Sequence, residues 1–81
     1  MKVRFLEIDC GPGGIVWEMH GQDNQFIRSY GSENDMLKDA ALAKMLGHDL
    51  RFHTQAEYML EVSVEIMLEN GVWNGQETIF A

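Results

Sequence analysis

Cysteine, proline and late positive charge are scarce in this chain. Of 81 residues, one is cysteine, Cys10, and one is proline, Pro12. A lone cysteine excludes an internal disulfide and fits a reducing compartment. No apolar run approaches the ~18 residues of a membrane span, and the opening MKVRFLEIDCG has no long apolar stretch of signal-peptide kind. A cytoplasmic protein without a membrane partner is therefore expected. Residues 1–51 carry eight acids and all six Lys and Arg, whereas residues 52–81 carry five acids and no Lys or Arg. With a net charge of −7 and no basic footprint in the pattern, nucleic acid is disfavoured as a direct ligand. A basic protein partner is favoured.

What is present fits one small α+β domain spanning residues 1–81. The hydrophobic share is 46%, ordinary for a globular chain, and six methionines soften the apolar surface. Residues 2–9 alternate as a strand, and Gly11-Pro12-Gly13-Gly14 supplies a turn. That turn lacks the Lys-Ser/Thr of a phosphate loop and precedes a strand, so it reads as a hairpin. Residues 15–20 and 25–30 give two more strands across the polar turn Gly21-Gln22-Asp23-Asn24. Three strands joined by short turns imply an antiparallel sheet over residues 2–30.

Two helices are expected to follow, packed on one face of that sheet. The first, about 33–46, opens at Ser32 with Glu33 and Asp35 in its first turn and ends at Gly47. Its buried stripe reads Met36, Leu37, Ala40, Ala41, Met45 and Leu46. His48 to His53 reads as a short linker, with Leu50 and Phe52 tucked inward. The second helix, about 55–70, has a capping box in Thr54 and Glu57 and a left-handed stop at Gly71, with Val72 placed for a Schellman ending. Residues 57–69 also alternate as a strand would, and Val62, Val64 and Ile66 are β-branched, so both readings stay open. The tail over 72–81 contains a turn signal at Asn74-Gly75 and then Thr78, Ile79 and Phe80 as an edge strand or docked end.

Glu57, Glu61, Glu65 and Glu69 recur every fourth residue. Like charges at that spacing repel by a few tenths of a kcal/mol per pair, about 1 kcal/mol in all. No Lys or Arg three or four residues away relieves them. Such a row is either a solvated helix face or a set of carboxylates aimed at a basic partner. On the second reading the partner-binding residues are Glu57, Glu61, Glu65 and Glu69, with Tyr58 or Trp73 as apolar anchor.

His20, His48, His53 and Cys10 invite a metal reading, yet they lack the paired spacing of a tight site, and no metal is expected. Cys10 has no identifiable base beside it, and no catalytic residue or cofactor motif emerges. The chain reads as non-enzymatic. In size, acidity, lone cysteine and absence of a catalytic signature it resembles small phage or mobile-element inhibitors of the anti-CRISPR and anti-restriction kind. That resemblance implies an inhibitor that covers a nucleic-acid site on a host effector. The rival expectations are a homodimeric structural or adaptor protein, in which exposed aromatics and methionines serve self-association, and a small metal-binding domain.

Overall fold

The computed structural model describes residues 1–73. The turn and short strand expected over residues 74–80 lie outside the described residues. The chain folds as α+β, with β1 (Lys2–Asp9), β2 (Ile15–His20) and β3 (Phe26–Tyr30) followed by α1 (Glu33–Met45), β4 (Asp49–His53) and α2 (Glu57–Asn70). The β1–β2 turn uses its glycines as expected: Gly11 and Gly14 both have positive φ, and Asp9 Oδ1 accepts from the Gly11 N–H at 2.8 Å.

The sheet corrects the expectation of three antiparallel strands. It has four strands in the order β3-β2-β1-β4, and β4 runs parallel to β1. The stretch expected to be a linker is this fourth strand. Leu50 and Phe52 do turn inward, as expected, while Arg51 and His53 turn outward, and that alternation is itself the strand period. Five residues are few enough for the pattern to pass as a loop. A parallel strand also needs a crossover, which α1 supplies. Phe52 lies opposite Phe5, and their rings stack with centroids 5.4 Å apart.

Val3, Phe5, Trp17, Met19, Tyr30 and Phe52 form the covered face of the sheet, and both helices pack onto it. Ser32 caps α1 as expected, its Oγ accepting from the Asp35 N–H at 3.1 Å. The buried stripe of α1 differs from the reading in two ways. Met45 and Leu46 are exposed at its end, while Leu42 and Asp39 are fully buried. Asp39 is tolerated there because the Tyr30 hydroxyl donates to its Oδ2 at 2.5 Å and Arg28 Nη1 donates to the same oxygen at 3.2 Å. Burial, and then the bond to Asp39, push the Tyr30 hydroxyl pKa well above its ordinary value.

Residues 57–70 are helical, which removes the strand alternative. The left-handed stop holds: Gly71 has φ 69°, its N–H bonds Leu68 O, and the Val72 N–H bonds Met67 O, the Schellman pair. The capping box does not form. The helix begins two residues later than expected, Ala56 is its N-cap, and Thr54 Oγ1 instead donates to Glu7 Oε2 on β1 at 2.9 Å. Glu57 is engaged elsewhere. No helix among the described residues is long and apolar enough to cross a membrane.

Candidate functional site

Four residues advance a helix by slightly more than one turn, about 400°, so the four glutamates drift around α2 by roughly 40° per step. The row therefore begins against the body of the protein and winds out into solvent. Glu57, at its start, is half-buried, and the other three are exposed. Glu57 Oε2 accepts from Arg51 Nε at 2.9 Å and from the Phe52 N–H at 3.0 Å, while Oε1 takes Arg51 Nη2 at 3.3 Å. These bonds, that to Arg51 foremost, lower the Glu57 carboxyl pKa, and the same pairing raises that of Arg51. Glu57 thus fastens α2 to the outer edge of β4.

Glu65 pairs with Lys44 at the end of α1. The repulsion along the row is relieved by cations from other elements, Arg51 of β4 six residues from Glu57 and Lys44 of α1 21 residues from Glu65. Glu61 and Glu69 have no hydrogen-bond or ion-pair partner among the described residues.

The apolar side of α2 is narrow. Only Leu60 and Val64 are buried, with Met67 and Leu68 packed partly against the core. Tyr58 is 77% exposed, Met59 70% and Ile66 51%, with Val62 between them. On the helical wheel these four share one outward arc, with Glu65 at one border and Glu69 within the arc at its C-terminal end. The helix is apolar on two sides, and only one of them is covered by the described fold.

Between α2 and β4 lies a groove of about 470 Å³. Leu50, Phe52 and Val64 form its apolar base, and Tyr58, Val62 and Glu61 stand on its α2 wall. The Lys44–Glu65 pair, His48 and Asp49 bound the rest. Of the residues singled out from sequence, the groove brings together Tyr58, Glu61 and Glu65. Glu57 is drawn off into the β4 contact, Glu69 lies beyond the groove, and Trp73 is half-buried against the core. Leu50 and Phe52 were missed as site residues because they were read as part of a linker. Their alternation with charged residues was the available signal.

The uncovered face of the sheet gathers charge that the sequence scatters. Arg4 lies opposite both His20 and Arg51, and Lys2 lies opposite Asp49. A depression of about 530 Å³ there is lined by Lys2, Arg4, Arg51, His53 and Asp49. Much of this charge is already engaged, Arg51 by Glu57 and Arg4 by Asn24 Oδ1.

The candidate metal ligands are placed apart. His20 Nε2 lies 3.0 Å from Glu18 Oε1, and its Nδ1 lies 3.2 Å from the Asn24 carbonyl. Cys10 is exposed in the first hairpin, and His48 and His53 stand at opposite ends of β4. Among the described residues no three His, Cys, Asp or Glu side chains are grouped so that they could hold a metal ion. In comparisons with known proteins, the chain matches no family model, no curated protein and no solved structure at a significant level.

Proposed function

We propose that this chain is a small, acidic, non-enzymatic protein-binding module whose contact surface is α2 and the groove beside it. The observation that carries this reading is the outer face of α2. Tyr58, Met59, Val62 and Ile66 are exposed together, next to carboxylates at Glu61 and Glu69 that form no ion pair among the described residues. An apolar centre with a charged border is the composition of a protein interface. The sign of the border selects a partner with Lys or Arg around an apolar contact. Basic surfaces of that kind are what nucleic-acid-handling proteins present to phosphates. We therefore propose that the module inhibits such a protein, of the CRISPR or restriction-effector kind, by covering its nucleic-acid site. A dimer through α2 would bring Glu61 and Glu69 of two copies together without a further cation to match them, so a different protein is the preferred occupant.

The test is a tagged capture from bacterial lysate at low and high salt, with the captured protein identified and then challenged with competing nucleic acid. The double variant Glu61→Lys/Glu69→Lys serves as control, since neither residue pairs internally among the described residues. Capture of a nucleic-acid-binding protein, displaced by nucleic acid and weakened at least about tenfold in the variant (roughly 1.4 kcal/mol), supports the reading. Unchanged capture by the variant sinks it. Recovery of only the protein itself, with a size that grows with concentration, transfers the surface to a homodimer.

A further inference from the structure

Resting on that reading, we infer that the groove takes an extended segment of the partner as an added strand along β4, with alternating apolar and Lys or Arg side chains.

The geometry points there because β4 is an edge of the sheet, bonded to β1 on one side only. The Asp49 N–H donates to the Met1 carbonyl at 3.1 Å. In a parallel ladder, residues alternate in the direction of their backbone groups. Asp49, Arg51 and His53 thus face β1, while Leu50 and Phe52 turn their N–H and C=O groups outward. One of these outward groups is answered: the Phe52 N–H donates to Glu57 at 3.0 Å. The backbone groups of Leu50 face outward with no partner among the described residues, midway along the groove.

An unpaired edge is a template for another strand. α2 supplies the second wall, as a peptide-accepting edge requires for specificity. Side chains of an added strand alternate in direction. Those turned toward α2 meet Leu50, Tyr58 and Val62, with Glu61 within the same wall. Those turned the other way meet Asp49, His53 and Arg51, the last already paired with Glu57. Because Lys44 is already matched by Glu65 and Arg51 by Glu57, the charge left on β4 and the α2 wall is that of Glu61 and Asp49, and it calls for cations. Five residues of β4 set the length of the paired segment at about five to seven residues.

The experiment uses the full chain, ¹⁵N-labelled, and three eight-residue peptides: alternating lysine and valine, the same peptide N-methylated at alternate backbone nitrogens, and a glutamate–valine version. The lysine–valine peptide is expected to bind and to shift the Leu50 amide most. N-methylation and Glu61→Lys should each weaken binding at least fivefold, and the glutamate peptide should not bind. Equal binding of the N-methylated peptide overturns the added strand, as does failure of the lysine–valine peptide to bind at millimolar concentration. Shifts confined to Met59 and Ile66 place the contact on the outer ridge of α2, which overturns the inference and leaves the proposed surface standing. Binding that appears only after removal of residues 74–81 assigns the groove to the chain's own end and overturns it too. The surface reading falls separately, through unchanged capture by Glu61→Lys/Glu69→Lys.

Discussion

The two helices pack on the same side of the same sheet, yet they are built on opposite principles. α1 buries seven of its residues, from Met36 to Ala43, and three of them are alanines that let it approach the sheet closely. Its one buried charge, Asp39, is held by Tyr30 and Arg28. α2 buries two residues, Leu60 and Val64, and is otherwise held by polar contacts at its rim, Glu57 to β4 and Glu65 to α1. Four of its large apolar side chains, Tyr58, Met59, Val62 and Ile66, point away from the fold. The stability of a small domain is a narrow difference between large terms, so residues that face away from the core are available for other contacts. α1 holds the fold together, and α2 presents a surface.

That contrast sets an order of expected effects. The largest belongs to Asp39. Asp39→Ala strands the buried Tyr30 hydroxyl and takes the partner from the partly exposed Arg28, which should cost about 3 kcal/mol. Glu61→Ala on the exposed wall of α2 should change stability by less than about 0.5 kcal/mol. Urea denaturation of the two variants measures both, and equal losses would erase the distinction between the helices.

A purely apolar pair sharpens it next. Met36→Ala removes a fully buried side chain and should cost about 2–5 kcal/mol. Ile66→Ala should stay within about 0.5 kcal/mol. A melting temperature lowered as much by Ile66→Ala as by Met36→Ala would mean that the outward arc of α2 is covered in the folded protein.

The smallest effect concerns acid. The folded-state pKa of Glu57 is depressed by Arg51 and by the Phe52 N–H. Its stabilising contribution is therefore present above the unfolded carboxylate value, about 4.3, and is lost as pH falls through the lower folded value. Melting temperatures followed from pH 6 to pH 3 should fall more steeply for the native chain than for Glu57→Gln. Parallel curves would show that the contact between β4 and α2 adds no stability.

Local signals were legible and are found where expected. Ser32 caps α1, and Gly47 and Gly71 end the two helices with positive φ. The three strands of the meander also stand at their expected positions. The Thr54–Glu57 capping box was equally regular as a pattern, but Glu57 had a better partner in Arg51, and Thr54 had one in Glu7. Asp39 left a trace as well, an acid among Met36, Leu37, Ala40 and Ala41. Nothing within one helix turn says that Tyr30 and Arg28 will meet it.

By itself, then, the sequence determined the first helix, the stop of the second at Gly71, the meander, the inward positions of Leu50 and Phe52, and the row of glutamates, while the helical state of residues 57–70 came from the structure. Each follows from contacts within a few residues, which periodicity and capping chemistry record directly. Only the tertiary structure decided that β4 joins β1 in parallel, that Arg51 and Lys44 take up Glu57 and Glu65, and that Tyr58, Glu61 and Leu50 border one groove. These depend on contacts between separate elements, from Arg51 and Glu57, six residues apart, to β1 and β4 at opposite ends of the crossover. A charge or an apolar side chain carries no mark of its distant partner until the crossover through α1 has brought the two together.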